Sequence, residues 1–303
     1  MSGSPFFESR HDTPYARARG MFVAFACIGL IYLVAARLFA NAGLALFAAA
    51  VLAATPLLWR QSHTAPAFLY PLFFVFAWLI AIAPLLAGRQ GRASLPAASA
   101  GALLGLGMYA GDTAIVMMPL YLALTVLTAG LARIERIRLL AILAGAFCVA
   151  VVPLAVWAVT HPEFLRQLLT SRRVGSEEPL NALQGLRQMA SWVGLTARTG
   201  VYYEYLNPVF LFVTSRALPL PLVVLLPAGI LHILTEEPTP PARLALAGFF
   251  AAPFAGALIA QEIPIEGGLT YILPFAPLVA AYGLRYLIAL GRRLALHRSE
   301  KLV

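Results

Sequence analysis

The chain has 303 residues, is 61% hydrophobic and only 12% charged, and carries a formal charge of +9. A water-soluble core of this size does not need so much apolar residue, and the composition is that of a polytopic helical membrane protein, in which helices satisfy their own backbone groups in lipid. The apolar runs are about 17–23 residues long, which excludes an outer-membrane barrel built from roughly ten-residue alternating strands.

The first twenty residues carry Glu8 and Asp12 beside Arg10, Arg17 and Arg19. The acids, and the span-length run that follows, argue against a cleaved signal peptide. Apolar runs then predict about nine transmembrane helices, at 20–39, 43–58, 65–87, 95–110, 113–131, 139–160, 209–235, 243–260 and 269–290, in one transmembrane domain over 1–303. Cys27 and Cys148 fall in mid-span and read as small buried hydrophobes. Their spacing is not that of a metal site, so no metal or cofactor is expected, with a divalent cation left open.

The turn Trp59-Arg-Gln-Ser-His63 joins two spans. Arg60 can pair with a phosphate or snorkel to headgroups, and His63 can bind or shuttle a proton. Asp112 begins a span, either as a helix cap or as a polar contact. Tyr109, just before it, reads as an interfacial belt residue.

One long polar stretch, 161–207, interrupts the apolar pattern, and a connection of that length is where substrate is handled or where the chain is disordered. Its opening, His161-Pro-Glu-Phe-Leu-Arg166, places two cationic groups near the membrane, or simply starts an interfacial helix at the proline. Ser176-Glu-Glu-Pro179 starts a helix on which Leu180, Leu183, Leu186, Met189, Trp192 and Val193 recur at helical spacing. That predicts an amphipathic helix on the membrane face. Tyr202, Tyr203 and Tyr205, with Glu204 and Asn207, close the stretch as an aromatic and polar cluster suited to a sugar. The seventh run is broken by Arg216, Pro219, Pro221 and Pro227, so a short re-entrant piece is expected before its true span. Arg285, late in the last run, is expected to snorkel to the membrane surface.

Basic residues assign the sides. Arg292, Arg293, Arg298 and Lys301 put the 291–303 tail in the cytoplasm, and counting back puts 161–207, Arg60 and Asp112 outside. The protein is thus expected to be a multi-pass inner (plasma) membrane protein. The same count leaves the first nineteen residues outside with no signal to carry them there, so a fragment or a late start codon is expected. None of the thirteen acids lies in mid-span, which speaks against ion-coupled transport.

Six segments together resemble one family. They are Ala16-Arg-Ala-Arg-Gly-Met-Phe22 with Ala36-Arg-Leu-Phe39, Gly43 to Pro56 with Arg60, Leu104-Gly-Leu-Gly-Met-Tyr109 running to Pro119, His161-Pro-Glu-Phe with Arg166, Tyr205-Leu-Asn-Pro-Val-Phe-Leu-Phe212, and Tyr271-Ile-Leu-Pro-Phe-Ala-Pro277. In order and spacing they resemble the membrane-embedded C-type glycosyltransferases, near the protein mannosyltransferase and aminoarabinose transferase group. The resemblance implies transfer of a hexose or pentose from a polyprenyl-phosphate donor to a lipid, glycan or protein acceptor on the outer face. It implies a polyprenyl-phosphate sugar and membrane lipids as partners; nucleic acid is not one. It places Arg60, His63 and Arg166 toward the phosphate, with His161 beside them, and Asp112, Tyr202, Tyr203 and Asn207 toward sugar or acceptor. The family's catalytic acid lies in its first outer loop. Glu8 and Asp12 do not match that motif, and Pro66 stands where some members carry a second acid, so the catalytic residue is unknown. The rival readings are a transporter or flippase-like protein and a non-catalytic membrane subunit.

Overall fold

The computed structural model describes residues 14–64, 66–86, 94–111, 113–130, 137–161, 192–259 and 266–300, with side chains described for most of these. Within these residues the chain is helical throughout, without a strand. Helix α1 covers Pro14–Phe39, and the chain reverses at Ala40, whose φ is 48°. The side chain of Asn41 then accepts from the N–H groups of Gly43 and Leu44 and so caps α2 (Ala42–Ala53). Helix α3 (Pro56–Thr64) leaves α2 at a bend of 50°. The bend is at Pro56, which begins α3, where its missing N–H costs least.

The next helices are α4 (Tyr70–Leu86), α5 (Ser94–Gly107), α6 (Ala114–Gly130) and α7 (Ile137–Thr160). Beyond the polar stretch follow α8 (Trp192–Leu206), a π-helical turn over Phe210–Thr214, and α9 (Leu222–Thr235). The eighth run forms α10 (Pro240–Ala251) and α11 (Pro253–Ile259), interrupted at Pro253. The last forms a 3-10 segment, Glu266–Ile272, and then α12 (Ala276–Glu300).

Among the described residues, three helical segments can cross a membrane by length and composition: Ala18–Phe39, Ile137–Thr160 and Gly268–Ala295. The bent pair α2–α3 makes a fourth if counted as one crossing. Four further apolar helices are shorter, among them α4 and α9. These helices suit a membrane protein, because their outer faces are apolar. On α7, Val149 is 73% exposed and Val159 78%, surfaces that water would not tolerate in a row but lipid does. The last span is the opposite case: 67% of its apolar window is buried, against 11% for α7. Thus α12 is the post of the bundle and α7 lies at its edge.

Glycines allow the closest crossings. A Cβ on Gly229 of α9 would collide with the carbonyl oxygen of Val279 on α12, and one on Gly283 with that of Leu225. The two backbones therefore touch, as small residues permit in membrane helices. Gly101 and Gly105 of α5 meet α7 in the same way, at Leu143 and Phe147.

The helix breaks share one device. Pro84 has no N–H, so the Ile80 carbonyl of α4 lacks its intrahelical donor; Arg37 Nη1 of α1 donates to it at 2.9 Å. At the α2–α3 bend, Trp59 Nε1 donates to the Ala53 carbonyl at 2.6 Å, and Thr55 Oγ1 to that of Val51 at 2.7 Å. Near Pro153, the Tyr109 hydroxyl enters the ladder of α7. It donates to the Ala150 carbonyl and accepts from the Leu154 N–H, both at 3.0 Å, so it bridges one rung of that ladder. Just before Pro253, Tyr202 donates to the Phe250 carbonyl at 2.9 Å. Each of these contacts puts a side-chain donor on a carbonyl close to a proline, where lipid offers no water. Tyr109, expected as a belt residue, also lends its hydroxyl to the neighbouring helix.

Candidate functional site

Two polar regions stand out, joined by α9 and α12. The first gathers α3, the 207–218 turn, the end of α8, α11 and the 266–272 segment. The second lies where the last turn of α9 meets α12.

In the first region, α3 buries Leu57, Leu58, Gln61 and Ser62. A guanidinium N–H of Arg60 donates to the carbonyl oxygen of Ser215, and the Leu57 N–H points at that of Ala217, 3.4 Å away. Both acceptors lie in the turn that breaks the seventh run. That turn is tight: Ser215 N and Oγ both donate to the Phe210 carbonyl, at 2.8 and 2.6 Å, and Arg216 has φ 46°. The re-entrant start expected there is thus a π-helical turn and a reversal, with the regular helix beginning at Leu222. His63 is exposed on the last turn of α3.

Tyr202 and Tyr203 lie on the last turns of α8, their rings 5.7 Å apart and edge to face. Tyr203 is 66% exposed, whereas the hydroxyl of Tyr202 is committed to Phe250. Burial, and then its neighbour Tyr203, push the Tyr202 phenol above its ordinary range, so it remains a donor at neutral pH. Arg198, one turn earlier, is 6% exposed, and burial lowers its pKa. Tyr205 is fully buried and wedged between Gly256 and Gly268, where a Cβ on either glycine would meet its ring or hydroxyl. Asn207 Oδ1 accepts from the Val209 N–H at 3.0 Å, so it caps the turn at Pro208. Thr113 and Tyr271 share a hydrogen bond of 3.0 Å that ties the start of α6 to the 266–272 segment.

The expected residues are thus only partly gathered. Arg60 and His63 share α3, and Arg60 reaches the turn that Asn207 opens. Tyr202 and Tyr203 join through α8. His161 ends α7, its ring stacked on Trp157 at 5.0 Å and its Nδ1 3.0 Å from Thr160 Oγ1. Those are contacts within and just beyond its own helix, and no described contact ties it to the others. Asp112 and Arg166 lie outside the described residues, as does most of the amphipathic helix expected from Leu180 onward. Its last two positions, Trp192 and Val193, begin α8.

The second region was not anticipated. His232 on α9, its side chain 7% exposed, has Nδ1 3.2 Å from Glu236 Oε2 and Nε2 3.3 Å from Glu237 Oε2. Neither ring nitrogen has the alignment of a hydrogen bond to its carboxylate. Arg285 Nη1 lies 2.9 Å from Glu237 Oε2, and Arg293 Nη1 3.1 Å from Glu236 Oε1. Arg285 is therefore paired rather than snorkelling unaccompanied. A charge at the depth of a span is held by an opposite charge. The signal in the sequence was a histidine followed by two glutamates, His232 to Glu237, at the end of an apolar run. Among the described residues no group of three or more His, Cys, Asp or Glu side chains has an arrangement that could hold a metal ion.

Comparison with known protein families, curated proteins and solved structures finds no match to this chain.

Proposed function

We propose that this chain is a membrane-embedded glycosyltransferase-like protein that takes a polyprenyl-phosphate sugar and passes the sugar to a lipid, glycan or protein acceptor. In this reading it crosses the inner membrane nine times, with the 161–207 stretch outside and the C-terminus in the cytoplasm. The observation that carries it is the meeting of α3, the 207–218 turn and the end of α8. These three segments carry a guanidinium, an exposed imidazole, phenols and amides in an otherwise apolar chain. A lipid phosphate needs a cation that lipid tails cannot supply, and a sugar needs aromatic faces beside hydrogen-bonding groups. Arg60 and Arg166 serve the phosphate, with His63 and His161 near them. Tyr203, which is exposed, serves the sugar better than Tyr202, whose hydroxyl is already committed to Phe250. Asp112 and Asn207 complete the polar set.

The chemistry supplied by these groups is neutralisation of the leaving lipid phosphate as the glycosidic bond breaks. A transporter reading is less favoured, because the candidate spans contain no acid in their sequence. The test uses purified protein in nanodiscs with undecaprenyl phosphate and its hexose-bearing derivative. Binding of both lipids is expected, weakened about tenfold by Arg60→Ala, a loss of about 1.4 kcal/mol. Unchanged binding in the Arg60→Ala, Arg166→Ala double variant would sink the phosphate assignment. Movement of the lipid without loss of its sugar would favour the transporter.

A further inference from the structure

Three buried side chains end in a polar atom without a hydrogen-bond partner and belong to neither ion pair nor helix break: Gln61, Trp78 and Tyr121. Trp78 and Tyr121 stack on one another, centroids 5.3 Å apart at 17°, deep between α4 and α6. Gln61 differs in its place. It follows Arg60 directly on α3, is 4% exposed, and its Oε1 accepts nothing. Three neighbours on α3 have partners: Trp59 Nε1 donates to the Ala53 carbonyl, Ser62 Oγ to that of Trp59 at 2.8 Å, and Thr64 Oγ1 to that of Arg60 at 2.7 Å.

An amide oxygen buried without a donor destabilises a fold, and a leucine in its place would not. A residue that breaks local consistency in this way is expected where a ligand completes it. We propose that Gln61 is the contact that reads the sugar of the lipid-linked donor, accepting from a ring hydroxyl while the neighbouring Arg60 side faces the phosphate. The inference rests on the reading under Proposed function. A hydroxyl fits better than a phosphate oxygen. The phosphate only accepts, whereas the hydroxyl donates to the orphan oxygen, and it suits the amide in either orientation. Successive residues on a helix diverge by about 100°, so adjacent side chains can address adjoining parts of one ligand rather than the same atom.

The experiment measures Kd for undecaprenyl phosphate and for its hexose-bearing derivative, with the thermal midpoint of the ligand-free protein alongside. For Gln61→Leu the expected result is a roughly tenfold weaker hexose-bearing complex, unchanged binding of the bare lipid phosphate, and a midpoint unchanged or higher. Gln61→Asn, which withdraws the amide by one carbon, should show the same selective loss if the leucine variant fails to fold. Tyr121→Phe, which removes a different orphan, should change neither Kd. Equal loss for both lipids would overturn the inference by placing Gln61 on the phosphate. No loss for either would overturn it by assigning the amide to a buried water. If the parent protein binds neither lipid, the glycosyltransferase reading falls and takes this inference with it. If it binds both and Gln61→Leu is indifferent, only this inference falls.

Discussion

The two polar regions solve the same problem in different ways. Where α3 meets the 207–218 turn, the polar groups facing one another are mostly neutral backbone carbonyls and side-chain donors. Where α9 meets α12, they are ionisable side chains: a histidine, two glutamates and two arginines. The first arrangement holds broken helices together and leaves one buried acceptor, the Gln61 Oε1, without a donor. The second closes on itself, because each carboxylate oxygen described there faces an arginine or the His232 ring. A region with spare polar capacity is suited to a ligand, and one whose charges are mutually engaged is suited to fixing helices. Gln61, orphaned, belongs to the first kind; Glu237, shared by His232 and Arg285, belongs to the second.

The largest expected effect tests whether the two regions depend on one another through the α9–α12 crossing. Gly283→Leu forces a side chain into the Leu225 carbonyl and should cost about 3 kcal/mol or more, seen as loss of folded protein in detergent. If the variant folds with an unchanged midpoint, the backbones do not touch as described. Next comes the charge cluster. Glu237→Ala removes a partner from both His232 and Arg285 and should cost about 1–2 kcal/mol, reduced from a fully buried pair because Arg285 is 47% exposed. Glu236→Ala should cost less, because its arginine is 67% exposed, and equal thermal shifts for the two variants would contradict the difference in burial.

Tyr109→Phe removes the hydroxyl threaded into α7 and should cost about 1 kcal/mol. Faster amide exchange at Leu154 would mark the loss. The smallest effect concerns Tyr202. Its folded pKa is raised, so its donated bond contributes fully below the unfolded value of about 10 and is lost as pH rises through the folded value. Tyr202→Phe should therefore lower the midpoint by a few degrees at pH 7.5, with the gap to the parent closing at strongly alkaline pH. A gap independent of pH would mean that the hydroxyl is not what matters.

The helices were legible because long apolar runs leave few alternatives in lipid. The breaks were less so. Arg216, Pro219 and Pro221 announced one interruption, and Leu222 is indeed where the regular helix begins. The bends at Pro56 and Pro253 were missed, because one proline hardly alters the apolar character of a run. Partners were the least legible. That Arg37 serves Ile80, or Arg285 serves Glu237, 48 residues away, depends on packing that periodicity cannot encode. Of the candidate site, side-chain type was readable and availability was not. Tyr202 and Tyr203 look alike in sequence, yet one hydroxyl is engaged and the other ring is exposed.

Arg37 and Pro84 have a further consequence, for the order in which this chain can change. Each makes sense only with the other: the proline frees a carbonyl, and the arginine meets it. Replacing Arg37 first strands the Ile80 carbonyl, whereas replacing Pro84 with alanine first restores the ladder and makes Arg37 dispensable. The pair can be dismantled along one path and not along the other, so the harm of a substitution at Arg37 is a property of residue 84.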